Sequence, residues 1–263
     1  VLYLLVLLSM YKLQRSLMYH PNDTIPALQE YGLSQNTKAV YIQSHDGLGL
    51  LSWYLPPRGP DKPLIVFFHG NAGHIGDRAD RLRMFRDLGY GFLIASYRYN
   101  AQAGGQPGEE ALLRDGQNVI NWLINKGHNT KEMIFYGESL GSGIAVSLAQ
   151  NNVTRGIILE SPYSSITDVA ADHYWYLPVK YLLKDRFESY KYIGNLISPV
   201  LILHGAKDKT IPLKFAQKLY ESADSSNSDI VIYPEGEHVG LYEFGALKEV
   251  TKFINNNPPL TGM

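Results

Sequence analysis

Continuous apolar blocks alternate along this chain with stretches in which apolar residues recur every three or four positions. The blocks are Leu64-Ile65-Val66-Phe67-Phe68, Phe92-Leu93-Ile94-Ala95, Met133-Ile134-Phe135-Tyr136, Gly156-Ile157-Ile158-Leu159, Val200-Leu201-Ile202-Leu203 and Ile230-Val231-Ile232-Tyr233. Unbroken apolar runs of this length read as strands buried on both faces. Ahead of them, Val40 to Gln43 and Leu48 to Tyr54 read as strands joined at Asp46-Gly47, a hairpin-turn pair. The helical spacing lies between the blocks. It runs over Arg78 to Leu88, with Leu82, Phe85 and Leu88 on one face, and over Glu109 to Ile124. It returns at Ile144 to Ala149, Leu213 to Tyr220 and Tyr242 to Ile254. Strand and helix in alternation predict a parallel sheet covered by helices on both faces and entered through an antiparallel hairpin.

Three segments stand outside the alternation. From Tyr163 to Ile197 there is no core strand, and the interval is rich in aromatics, Tyr163, Tyr174, Trp175, Tyr176 and Tyr181 among them. A long insertion of this kind predicts a small helical cap over the C-terminal edge of the sheet, where ligands bind in such folds; two ordinary packing helices are the alternative. Asn255 to Met263 reads as a frayed tail. At the other end, Val1 to Leu8 is nearly all apolar, and the run reaches Tyr11 before Lys12 and Arg15. It falls short of the ~20 residues a bilayer requires. The leading expectation for residues 1–20 is the truncated end of a membrane anchor. A signal-peptide remnant and an amphipathic or buried helix are the alternatives.

Composition narrows the classes. The 263 residues suit one large α/β domain. With 24 basic and 25 acidic residues and no basic run, a nucleic-acid partner is not expected. The absence of cysteine removes disulfides, thiol nucleophiles and thiolate metal sites.

Candidate chemistry centres on Gly137-Glu138-Ser139-Leu140-Gly141, between a strand block and a helical stretch. A serine flanked by glycines at a strand-to-helix turn reads as the nucleophile elbow of α/β-hydrolases, with a tight turn of an unrelated α/β protein as the alternative. The turn strains the serine backbone, lifts its hydroxyl above the sheet edge, and sets it at a helix N-terminus that favours negative charge. Val146 argues against a dinucleotide fingerprint on Gly141-Ser142-Gly143, because it stands where the third glycine belongs.

Acyl transfer needs a base for the serine proton, an acid to hold that base, and donors for the oxyanion. In this fold they follow in the order serine, acid, histidine. His238, in the loop after the last strand, is the expected base; His173 lies in the cap, and His204 ends a strand and supports a turn. Asp208, just past a buried strand, is the expected acid, with Glu160, Asp168 and Asp185 as rivals. The oxyanion amides are expected from Leu140 and from the loop His69-Gly70-Asn71-Ala72-Gly73, where Asn71 leads and Ala72 is the near alternative. His69 reads as a buttress of that loop. Tyr163, Tyr174 and Trp175 are the expected substrate contacts in the cap.

With these segments in view, the chain resembles the membrane-anchored serine hydrolases of the α/β-hydrolase-domain group. These are related to protein depalmitoylases and to serine aminopeptidase-like hydrolases. The segments that carry the likeness are Leu13 to Pro21, His69 to Gly73, Gly137 to Gly143, Leu177 to Val179 with Leu183 to Phe187, His204 to Asp208, and Gly236-Glu237-His238. The resemblance implies the triad Ser139, Asp208 and His238, with the amides of Asn71 and Leu140. It also implies a Tyr-Arg-Gly-Tyr-Gly loop. Here that loop reads Tyr97-Arg98-Tyr99-Asn100-Ala101, without the glycines.

The expectation is therefore an α/β-hydrolase that cleaves carboxylic esters or thioesters with a modest apolar acyl group. It needs no metal or organic cofactor, acts on a small or lipid-like acyl substrate, and associates with a membrane through its N-terminal segment. A peptidase acting on small peptides or amides and a non-catalytic scaffold are the alternatives. Haloalkane and epoxide chemistry are not expected, since they use an aspartate where Ser139 stands.

Overall fold

A computed structural model describes residues 1–259 of the chain. A helix α1 (Leu2–Met18) leads into an antiparallel hairpin, β1 (Lys38–Gln43) and β2 (Gly49–Leu55). The alternation follows: β3 (Leu64–Phe68), α2 (Ala79–Asp87), β4 (Gly91–Ala95), α3 (Glu109–Asn125), β5 (Met133–Glu138), α4 (Leu140–Ala149) and β6 (Gly156–Glu160). Two short helices, α5 (Ile166–His173) and α6 (Val179–Leu182), form the cap. The chain then returns through β7 (Val200–Gly205), α7 (Leu213–Glu221), β8 (Ser228–Tyr233) and α8 (Ala246–Asn256).

The strands make one eight-stranded sheet in the order β1-β2-β4-β3-β5-β6-β7-β8. β2 runs antiparallel to β1 and β4, and the strands from β4 through β8 are parallel. This is the α/β-hydrolase fold. The apolar blocks supply both faces of the sheet because successive side chains alternate. Val66, Leu93, Phe135 and Ile157 pack with Leu112 and Val119 of α3, Ile144 of α4 and Phe215 of α7. Ile65, Phe67, Ile94 and Ile158 pack with Leu82 and Phe85 of α2 and Val250 of α8. Truncating a buried aromatic such as Phe135 to alanine costs about 3–5 kcal/mol.

Register aligns the loops that matter. Phe68 lies beside Gly137, and Glu138 beside Glu160. The loops leaving β3, β5, β7 and β8 thus emerge at one edge, carrying Asn71, Ser139, Asp208 and His238.

Two boundaries differ from the pattern. The helix expected over Tyr242 to Ile254 is broken at Gly245, whose φ of 93° is left-handed; a 3-10 turn (Leu241–Phe244) precedes it and α8 follows. Of the tail expected over 255–263, the first two residues close α8, and 260–263 lie outside the described residues.

The N-terminal segment is a helix whose second half joins the body of the α/β domain. Gln14 Nε2 donates to Leu182 O (3.1 Å) and its Oε1 accepts from Lys184 N (2.7 Å). Arg15 forks onto Asp185 at 2.8 and 2.9 Å. The first half exposes its leucines to solvent. Among the described residues, no helix is long and apolar enough to cross a membrane.

Candidate active site

The elbow is built by crowding. An added Cβ at Gly141 would lie 1.9 Å from Phe68 O, and one at Gly137 would lie 2.6 Å from Gly141 O. Only glycine fits such approaches. Ser139 between them sits at φ 50°, ψ −117°, a conformation that L residues rarely adopt. Flanking bonds hold it there: Ser139 N donates to Glu160 O (2.9 Å), and Ser142 N and Oγ donate to Ser139 O at 2.9 and 2.6 Å. α4 begins at the next residue, so Ser139 stands at its N-terminus.

Ser139 Oγ lies 3.0 Å from His238 Nε2, and His238 Nδ1 lies 2.7 Å from Asp208 Oδ2. The other carboxylate oxygen, Asp208 Oδ1, accepts from Thr210 N and Ile211 N, both at 2.8 Å. Those two bonds fix the carboxylate plane, and the plane selects the Nδ1–H tautomer of His238. Nε2 is then free to accept the serine hydroxyl proton. Ser161 Oγ donates to His238 O (2.8 Å) and steadies the loop behind the ring.

The structure gives the rival residues other partners, although His173 lines the same cavity as Ser139. Glu160 accepts from Tyr136 Oη (2.6 Å) and pairs with Arg81. Asp185 holds Arg15, and Asp168 holds Lys218 at 2.8 Å. His204 is buried beside Asp208, but its Nε2–H is committed to Ile211 O at 2.9 Å. Burial lowers its pKa and keeps it neutral. His173 lies on the cap, with Nδ1 3.0 Å from Val169 O.

Asn71 and Leu140 border the same cavity as Ser139. Among the described residues, neither backbone N–H has a hydrogen-bond acceptor. The loop bearing Asn71 rests on charge. Arg78 Nη2 and Nε donate to Glu138 at 2.6 and 3.2 Å, and its Nη1 donates to Ala72 O at 3.0 Å. Arg81 reaches Glu138 at 2.9 Å and also pairs with Glu160. Burial alone would raise the Glu138 pKa, but Arg81 and Arg78 outweigh it and hold the carboxyl low. Sequence reading did not identify this network; the glutamate inside the elbow motif was its one visible sign. His69 is fully buried and donates Nδ1–H to Gly70 O (2.7 Å). Burial, then Arg78, push its pKa down to about 3.

A cavity of about 320 Å³ opens above Ser139. Its walls are apolar: Leu17 and Met18 from α1, Val169 and Tyr174 from α5 and its end, and Val179 and Leu182 from α6. Tyr163 and Tyr174 line it, but Trp175 does not; it is 81 % exposed on the outside of the cap. α5 ends at His173, and Trp175 follows in the turn before α6, where it packs edge-on to Tyr176. α1 takes the place at the cavity wall that the sequence had assigned to cap aromatics alone.

The glycine-poor loop after β4 keeps a glycine-like shape. Ala101 has φ 50°, with its N–H donating to Asn22 O (2.8 Å). Arg98 in this loop binds Asp115 (2.7 Å) and Asp46 (3.0 Å). His45, Asp46 and Asp115 are close enough to share an ion, but the Arg98 guanidinium already bonds both carboxylates.

Residues 59–191 match the profile of the Hydrolase_4 family, serine aminopeptidase S33. The chain belongs to this hydrolase family. The Mycobacterium tuberculosis (strain CDC 1551 / Oshkosh) protein MT2364 is 30% identical over 221 residues, covering 83% of this chain and 78% of that protein. The lysophosphatidylserine lipase ABHD12 of Danio rerio is 29% identical over 271 residues, covering 88% of this chain and 69% of the lipase. Among solved structures, the Pyrococcus furiosus esterase Pf2001 superimposes with a TM-score of 0.71 over 90% of this chain and 98% of the esterase. At 16% identity that likeness is one of fold.

Proposed function

We propose that the protein is a serine hydrolase that cleaves carboxylic esters or thioesters bearing a modest apolar acyl group. The observation that carries the reading is the chain Ser139–His238–Asp208 at the base of an apolar cavity. Ser139 Oγ attacks the acyl carbonyl while His238 Nε2 takes its proton. Asp208 keeps the imidazole oriented and stabilises the imidazolium. The N–H groups of Asn71 and Leu140 receive the oxyanion, and the α4 N-terminus adds its dipole. His238 then returns the proton to the departing alkoxide or thiolate, leaving an acyl group on Ser139. Water, deprotonated by His238, attacks that ester and releases the acid.

The cavity favours acyl esters over amino-terminal peptides. An aminopeptidase must hold an ammonium group, and no Asp or Glu lines this cavity among the described residues. The relative named for lysophosphatidylserine hydrolysis points the same way, toward lipid-like acyl substrates. In this reading the protein works at a membrane. Support comes from the exposed leucines at the start of α1 and from Trp175 and Tyr181, each 81 % exposed on the cap.

The test is a panel of p-nitrophenyl esters from acetyl to palmitoyl, acyl-thioesters, and aminoacyl-anilides. Esters or thioesters of intermediate chain length are expected to turn over fastest. Cleavage of anilides alone would overturn the assignment.

A further inference from the structure

Taking the Asn71 N–H as an oxyanion donor, as the proposed function does, we propose that the end of α1 is a positioning element of the active site. It acts through the Asn71 side chain. The loop from Gly70 to Gly73 has no regular structure, and among the described residues none of its backbone N–H groups donates to another backbone group. Side chains must therefore set its peptide planes. Arg78 holds one side through Ala72 O (3.0 Å).

The other side is held by the N-terminal segment. Asn71 Nδ2 donates to Met18 O, and Asn71 Oδ1 accepts from His20 N (3.3 Å) and Tyr99 Oη (3.2 Å). Both ends of the carboxamide are thus engaged, and its plane lies only two bonds from the Asn71 backbone. A row of rings backs the clip. Tyr19 lies 5.4 Å from Tyr99, Tyr99 lies 5.6 Å from Tyr97, and Tyr97 lies 4.2 Å from His69 at the start of the loop.

α1 is itself bolted to the cap through Gln14 and through the Arg15–Asp185 pair. Asp185 Oδ1 also accepts from Glu109 N (3.0 Å) at the start of α3. A displacement of α1 or of the cap is therefore passed to Asn71. The segment that reads in sequence as an anchor is on this account part of the turnover machinery, and whatever shifts it sets the rate.

The test uses Asn71→Ala, which keeps the backbone N–H and removes the clip, with p-nitrophenyl butyrate as substrate. The kcat is expected to fall about 10- to 100-fold while KM moves less than about 3-fold. Affinity for an alkyl trifluoromethyl ketone, whose hemiketal oxyanion needs the amides, should fall with kcat, and affinity for butyrate should not. Arg15→Ala, at the remote bolt, should lower kcat about 3- to 10-fold in the same pattern. Should Asn71→Ala fail to fold, Tyr99→Phe removes one bond to Oδ1 and should lower kcat about 2- to 5-fold. A folded Asn71→Ala (or Tyr99→Phe in its stead) with unchanged kcat overturns the inference. So does a loss confined to KM, or one that leaves ketone affinity unchanged. In either case turnover that is silenced by Ser139→Ala leaves the hydrolase reading standing. A wild type that neither turns over these esters nor reacts with a fluorophosphonate overturns that reading, and this inference with it.

Discussion

Ser139 divides two unlike regions. On the sheet-edge side, polar groups are interlocked: Asp208 by two backbone amides, His204 by Ile211 O, Glu138 by two arginines. On the cap side, the cavity wall is mostly leucine, valine and methionine, with Tyr174 and His173 among them, held by the few polar bolts of Gln14 and Arg15. Directional hydrogen bonds fix atoms to a fraction of an ångström, which proton transfer needs. Apolar contacts are nondirectional and fix only a volume, which is enough to sort acyl chains by size. The difference predicts that the chemistry and the selectivity of this enzyme respond to different substitutions.

The largest effect belongs to the sheet-edge side. Asp208→Asn should lower kcat on the order of 10⁴-fold, because the amide selects the wrong imidazole tautomer. Steady-state kinetics across acyl lengths should show the loss to be uniform. On the cap side, Leu17→Ala enlarges the cavity and should move the ratio of kcat/KM for long against short esters by about 10-fold. If Asp208→Asn changed the chain-length profile, or Leu17→Ala left it flat, the division of labour would fail.

Acid stability sharpens the comparison further. His69 is neutral in the fold, with its pKa near 3, against about 6.5 in an unfolded chain. Between those values the unfolded chain binds a proton that the folded chain refuses. Stability is therefore full above pH about 6.5 and falls as pH drops toward 3. His204, also lowered by burial, adds in the same direction. Glu138, held low by its arginines, adds a further loss below its unfolded value of about 4.5. Melting temperature against pH should show this slope, and His69→Gln should flatten it. The smallest effect is expected of Trp175→Ala, which should alter kcat/KM for soluble esters less than about 2-fold because the ring lies outside the cavity.

Much of this was readable in the chain. The inner strand blocks are visible because parallel strands buried on both faces leave no polar residue in the run; the last block, expected to be buried too, is the edge strand β8 and leaves Ile232 exposed. The elbow is visible because its two glycines and serine fall within five residues: Gly137 answers to the backbone of Gly141, and Gly141 to Phe68 O on the neighbouring strand. The role of α1 was hidden for the opposite reason. Gln14 and Arg15 meet partners 168–170 residues downstream, and an apolar helix that lines a cavity has the composition of an anchor. The Arg78–Glu138 pair was hidden because a charged residue in a helical pattern reads as a solvated face until its partner is known. Trp175 misled because an aromatic count does not say which side of a cap a ring takes.

The central claim is that Ser139 becomes acylated with His238 as its base. Incubation with a fluorophosphonate, followed by peptide mapping by mass spectrometry, tests it most directly. A single adduct on the peptide containing Ser139 is predicted, lost in Ser139→Ala and slowed at least on the order of 10³-fold in His238→Ala. Folded protein that stays unlabelled at Ser139, or that labels as fast without His238, would contradict it.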